Sequence, residues 1–196
     1  MTEKNLGLRE RHKENTRQEL FSFGLRLFME QGFDNTTIDQ IVGPLGIARR
    51  TFFRYFKVKE DLVFAWNAEK TAELVDELNG RPPEEAPFEA VCGALSSLLR
   101  RYDANPDMAF ALMRLLKETP SLVGRECEKR MIWEQALAAA LVQRVGEHAM
   151  SPLKARIVVG TVMAAWTAAL DEWYEGGGQA DLRPIVEKAF SMARER

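Results

Sequence analysis

Apolar residues recur at steps of three and four through nearly the whole chain, and no segment alternates with the two-residue period of a strand. From about Glu10 to Gln31, Leu20, Phe23, Leu27 and Phe28 share one helical face, and Gly32 supplies a stop. "DNTTIDQ" offers Thr37 as N-cap with Gln40 three residues on, a capping box that opens a short helix. Gly46 separates it from another helix over about 48–56. A long helix over about 58–79 ends at "NGRPPEEAP", whose glycine and three prolines mark the clearest boundary in the chain. Beyond it, Phe88, Val91, Cys92, Leu95, Leu98, Leu99 and Tyr102 predict one amphipathic helix of about four turns. A helix rich in Met and Phe lies between "DANPD" and "TPS", and a long one runs from about Leu122 to His148. Ser151-Pro152, a cap followed by proline, opens the next; "EGGGQ" ends it, and Leu182 to Arg194 forms the last. The pattern predicts an all-α chain of about nine helices.

Composition divides the chain in two. The formal net charge is -2 over 196 residues, but residues 1–62 carry 11 Lys+Arg against 9 Asp+Glu, and the remainder 16 against 20. Eight of the 11 phenylalanines precede residue 65, whereas all four tryptophans follow it. A positive first segment hints at an anionic partner, although such an imbalance also suits a solvated surface. Cys92 and Cys127 stand alone, without a CxxC or paired histidines, which argues against a disulfide framework or zinc site and suits a reducing compartment. The first 20 residues lack the apolar core of a signal peptide. The longest uncharged apolar stretch, Ile157 to Leu170, is too short for a bilayer. A cytoplasmic protein is expected.

The stretch "RRTFFRYF", residues 49–56, packs three arginines beside four aromatics. At about 100° per residue, Arg49, Arg50, Phe53 and Arg54 fall within an arc of roughly 140°, with Phe52, Tyr55 and Phe56 opposite. Two phenylalanines therefore anchor the helix while one face stays cationic. With the capped helix and the "LGI" turn before it, this is a helix-turn-helix, whose second helix enters the DNA major groove. Arginine suits that face because its planar fork donates two hydrogen bonds to guanine O6 and N7, or to phosphate. A solvated amphipathic helix with chance arginines is the alternative.

The order of residues in "GFDNTTIDQIVGPLGIARRTFFRYFKVKEDL", 32–62, closely resembles the DNA-binding domain of the TetR family of bacterial repressors. The matching features are Thr37, Gly46-Ile47, Thr51-Phe52-Phe53, and Phe56 followed by Lys59-Glu60 and Leu62, within a match over roughly 10–65. The "RRTFFRYF" variant is similar to an actinobacterial branch, some of whose members sit near redox-cofactor or acyl-metabolism genes. The resemblance implies an N-terminal three-helix DNA-binding domain (1–62, its connecting helix at about 58–79) and a C-terminal helical domain (80–196) that dimerises and holds a small-molecule effector. It implies that Thr37, Tyr55 and Lys59 hold phosphates and that Arg49, Arg50 and Thr51 face base edges. Arg54 would read a base or a flanking phosphate. Three positions depart from the family pattern. Ala48 stands where a Ser N-cap is usual, at a cost of about 1 kcal/mol of helix stability. Phe53 replaces a common Tyr, which removes a phosphate contact but leaves apolar contact to a thymine methyl. Gly43-Pro44 would kink or tighten the end of the first helix of the motif. His12, Lys13 and Arg17 fit either further phosphate contacts or a solvated charge run.

In the second half, Leu153, Ile157, Gly160, Ala164 and Ala168 share one side of a helix, the last three small and four apart. Val159, Val162, Met163, Trp166, Leu170 and Trp173 lie opposite. The small face is expected to be a subunit interface, paired with residues 182–194; a central core helix in a monomer is the other reading. Trp66, Leu95, Leu99, Met108, Phe110, Met113, Met131, Trp133 and Trp166 are candidate pocket residues, because pockets are mostly apolar and Met adapts to irregular shapes. The same residues equally suit a core. No glycine-rich phosphate loop follows a strand, no metal-ligand cluster or GxSxG appears, "GGG" at 176–178 reads as a hinge or linker, and His148 lacks a nucleophile. No enzyme, cofactor or metal is expected. The expected partners are double-stranded operator DNA, a second copy of the chain and a small apolar effector. The alternative is a regulator of the same fold that answers to a protein partner or to nothing.

Overall fold

The computed structural model describes residues 3–64 and 70–195. Among them the regular elements are all helices: α1 (Glu3–Gln31), α2 (Ile38–Val42), α3 (Arg49–Tyr55), α4 (Lys59–Phe64), α5 (Lys70–Asn79), α6 (Pro87–Ser96), α7 (Leu99–Ala104), α8 (Pro106–Glu118), α9 (Pro120–Val145), α10 (Pro152–Glu175) and α11 (Leu182–Arg194). The all-α class is observed. The chain forms two compact units, Met1–Ala68 and Glu69–Arg196, so α5 belongs to the second.

One expected helix is described in two parts and another is divided. The one over 58–79 is described as α4 and α5, with 65–69, including Trp66, outside the described residues. The stripe from Phe88 to Tyr102 breaks between α6 and α7 instead of running on. The Ser97 hydroxyl donates to the Ala94 carbonyl at 2.7 Å, and the Leu98 and Arg101 amides bond three residues back, to Leu95 and Leu98. A serine that competes for helix carbonyls in this way disrupts the four-residue ladder.

In the first unit α1 packs on α2 and α4. Its buried face consists of Leu20, Phe21, Leu25 and Phe28, whereas Phe23 and Leu27 are only half-buried. The expected stripe is thus rotated toward Leu25. Gly24 explains the shift, because a Cβ there would sit 2.9 Å from both Leu62 methyls: α4 reaches α1 over the glycine. Phe33, Ile41, Val42, Phe52, Phe56 and Val63 complete this core.

In the second unit α10 packs against α6, α8, α9 and α11. Its large face is buried as expected through Val159, Val162, Met163, Trp166 and Trp173, with Leu170 half-buried. The 24-residue α10, which contains the 14-residue uncharged stretch, is long and apolar enough to cross a membrane by length and composition alone, but its large face is enclosed by neighbouring helices. Ser151 accepts from the Lys154 amide at 3.2 Å and Pro152 stands at the first turn, the predicted cap. The helix expected to reach His148 stops at Val145, since Gly146 takes φ 89°. Near that end the Arg144 guanidinium donates to the carbonyls of Leu78 (3.1 Å), Arg81 (2.9 Å) and Pro82, which fastens the proline-rich loop to α9. The triglycine is a packed turn rather than a loose linker. The Gly178 amide bonds the Trp173 carbonyl at 3.0 Å and the Trp173 indole donates to Ala180 at 2.8 Å, while Phe110 occupies the space a Cβ on Gly178 would need.

Candidate nucleic-acid interface

The first helix of the motif is set by its cap. Thr37 Oγ1 accepts from the Gln40 amide at 3.3 Å, and the Gln40 side chain accepts from the Thr37 amide at 2.8 Å, the predicted capping box. The Thr37 hydroxyl also lies 3.0 Å from Gln40 Oε1, so a phosphate would have to compete for it. Gly43-Pro44 tightens the chain after Val42. The Ile47 amide bonds Val42 and the Gly46 amide bonds Gly43, both at 3.0 Å, with Gly46 at φ 64°. This paired closure requires a left-handed residue, which glycine adopts without strain.

α3 follows, seven residues or about 10 Å long, matched to a major groove about 12 Å wide. Ala48 makes no side-chain cap bond. Phe52 is completely buried and meets Phe56 at 5.3 Å between ring centroids. Phe53 stands edge-on to Phe52 at 5.6 Å and is 44% exposed, beside Arg49 and Arg50 on the outer face. The predicted division of the aromatics is therefore present. Thr51 is half-buried at the margin of that face.

The arginines are held differently. Arg49 Nη1 donates to Asp39 Oδ2 at 2.9 Å, and its guanidinium lies 5.8 Å from the Phe53 ring. Arg54 donates to the Tyr55 hydroxyl at 3.2 Å and lies 5.1 Å from that ring. Arg50 is exposed and has no ion-pair partner among the described residues. Lys59, expected at a phosphate, sends its ammonium inward. Nζ donates to the carbonyls of Phe33 (2.6 Å) and Thr36 (3.0 Å) and lies 4.1 Å from the Phe33 ring centroid. Two of its three donors are thus committed to the loop between α1 and α2, and one remains for DNA. Charged hydrogen bonds to half-buried carbonyls are worth about 1.5–3 kcal/mol. Lys59→Met is therefore expected to lower the melting temperature of the first unit in addition to weakening DNA binding. Unchanged thermal unfolding by circular dichroism would show that the lysine serves DNA alone.

Asp39 and the Lys59 lock carry no signal in the linear sequence beyond an acidic residue early in the short α2 and a lysine at the start of α4. Both pairings depend on the crossing of the helices.

Elsewhere, Leu153 and Ile157 are 65% and 60% exposed, Ala164 and Ala168 are exposed, and Gly160 is half-buried with open space where a Cβ would be. The candidate pocket residues are dispersed. Leu95, Leu99, Met113, Trp133 and Trp166 are buried between helices, Met108 and Phe110 are half-buried, and Phe110 meets Trp173 at 5.5 Å. Met131 faces outward, 57% exposed, about 200° around α9 from the buried Trp133. A polar cleft of about 690 Å³ lies elsewhere, lined by Glu73, Asp76, Glu77, Arg81, Arg100 and Arg101 among others. None of the candidate pocket residues lines it. Burial pushes the Cys92 thiol up to about 12, which keeps it protonated; Cys127 is exposed.

A capped helix, a left-handed glycine turn and a second helix with an outward cationic face define a helix-turn-helix transcriptional regulator. Residues 20–66 match the family described as bacterial regulatory proteins, tetR family, and residues 85–196 match the MftR C-terminal domain of TetR regulators. The chain belongs to the TetR family of transcriptional regulators. It is 30% identical over 174 residues to the HTH-type transcriptional regulator TcmR of Streptomyces glaucescens, covering 86% of this chain and 77% of TcmR. A putative TetR-family regulator from Syntrophomonas wolfei shares the fold at TM-score 0.70 and 15% identity, covering 92% of this chain and 94% of that one. FadR of Thermus thermophilus, solved in complex with lauroyl-CoA, does so at TM-score 0.56 and 21% identity, covering 91% and 93%.

Proposed function

We propose that this protein is a repressor that binds a palindromic operator as a homodimer and leaves it when a small apolar effector enters the second unit. The observation that carries the DNA-reading part is the outer face of α3. Arg49, Arg50 and Phe53 project from a helix whose opposite side, Phe52 and Phe56, is buried. Arg49, Arg50 and Thr51 face base edges, Phe53 meets a thymine methyl, Arg54 reads a base or a flanking phosphate, and Thr37, Tyr55 and the spare donor of Lys59 fix the register. The effector reading is supported by the apolar side chains between α6, α8, α9 and α10, and by the lauroyl-CoA bound to the similarly folded FadR. For release, the effector must bind preferentially to a conformation whose two recognition helices no longer match successive major grooves. Acyl thioesters are the class to titrate first, with operator release as the readout.

A gel shift on the DNA upstream of the protein's own gene tests the proposal. Wild type is expected to retard that fragment in preference to a scrambled one. Arg50→Ala is expected to lose about 1–3 kcal/mol on the cognate fragment and little on the scrambled one. Equal losses on both would assign Arg50 to the backbone instead of the bases.

A further inference from the structure

Arg49 and Arg50 are neighbours of one residue type on one helix face, yet only Arg49 is held in place. One N–H of its guanidinium is fixed by the Asp39 carboxylate at 2.9 Å, and the guanidinium carbon lies 5.8 Å from the centroid of the Phe53 ring, which in turn rests edge-on against the buried Phe52. The carboxylate comes from α2, so the contact bridges both helices of the motif. With side chains 59% and 66% exposed, such an ion pair contributes little to stability. Its physical consequence is orientation. A guanidinium has five donors in a rigid planar fork, and one bond to Oδ2 leaves donors enough for a bidentate contact to guanine O6 and N7. A side chain already held in its binding geometry gives up less rotamer freedom on association. The carboxylate also disfavours a swing of this region onto phosphate, because it would have to approach the backbone charge itself.

We propose that Asp39 is a specificity-determining residue, a positioning group that holds Arg49 for one base pair of each half-site. This rests on the DNA-reading function proposed above. Arg50, without such a partner among the described residues, reads its own base pair independently of Asp39.

The test measures binding of wild type, Arg49→Ala, Arg50→Ala, Asp39→Ala, Asp39→Asn and the Asp39→Ala/Arg49→Ala double variant to the upstream DNA. The probes include a panel with each base pair of the half-site replaced in turn, and a scrambled fragment. Failure of wild type to prefer the upstream DNA would sink the DNA-reading function itself, before Asp39 is considered. Given that preference, Asp39→Ala is expected to lose about 10-fold in discrimination at the base pair where Arg49→Ala also loses it. Discrimination at the pair read by Arg50 should stay intact. The double variant should lose no more than Arg49→Ala alone, and Asp39→Asn, whose amide oxygen still accepts, should fall between. Discrimination unchanged in Asp39→Ala, or additive losses in the double variant, would overturn the proposal. So would a uniform gain on all DNAs including the scrambled one, which would mark Asp39 as a simple phosphate repellent. A loss spread evenly over every base pair, with reduced helicity by circular dichroism, would overturn it in favour of a folding role.

Discussion

Replacing Phe52 with alanine is expected to abolish operator binding by unfolding the first unit while the second stays helical. Phe52 has no exposed surface and its ring meets both Phe53 and Phe56. Truncating a buried phenylalanine costs about 3–5 kcal/mol through lost burial and the cavity left behind. A unit of 68 residues has little stability in reserve, since whole domains have about 5–15 kcal/mol. The affected side chain also backs the one that carries the reading face, so even a partly folded variant would present Arg49 poorly. Circular dichroism should show an early melting transition for the first unit and an undisturbed later one, alongside loss of the gel shift. A Phe52→Ala variant with wild-type melting and wild-type operator affinity would show that α3 is anchored by Phe56 alone.

Ala164→Trp is expected to yield helical monomers that bind a full palindrome no better than a half-site. Ala164 is exposed in the protomer, in line with Leu153, Ile157, Gly160 and Ala168, so an indole there starts from a solvent-facing position within one chain. A surface substitution of that kind changes protomer stability by about 0.5 kcal/mol or less. At a twofold interface it acts twice, and a face built of small residues leaves no room for two indoles. Loss of the second recognition helix removes the gain of linked binding, on the order of 100- to 10,000-fold in affinity. Sedimentation, circular dichroism and half-site binding measured together decide the matter. A dimeric variant with full operator affinity would place the interface elsewhere and leave this face as solvated surface.

Much of this protein follows from local interactions alone. The Thr37 and Ser151 caps, the glycine turn before α3 and the split of Phe52 and Phe56 from Phe53 and Arg50 are all legible in sequence. A helix period and a capping bond involve residues within four positions of one another, and the wheel fixes which of them can share a face. The large buried face of α10 was legible for the same reason. What the chain alone could not decide depends on neighbours brought close by tertiary packing. The buried stripe of α1 turns toward Leu25 because Leu62 of α4 closes over Gly24. The stripe from Phe88 to Tyr102 carries an unbroken apolar period, yet a serine hydroxyl at 97 and the packing of α7 divide it. Met131 and Trp133 look alike as adaptable apolar residues, and only the burial of one side of α9 separates an outward methionine from an inward tryptophan. The triglycine looks like a hinge until Phe110, 68 residues earlier, is found packed into its turn. Asp39 with Arg49 and Lys59 with Phe33 and Thr36 are likewise products of helix crossing, ten and more than twenty residues apart in sequence. Periodicity determines which face of a helix is apolar; only the partner that covers or spares that face determines whether it becomes core, lock or reading surface.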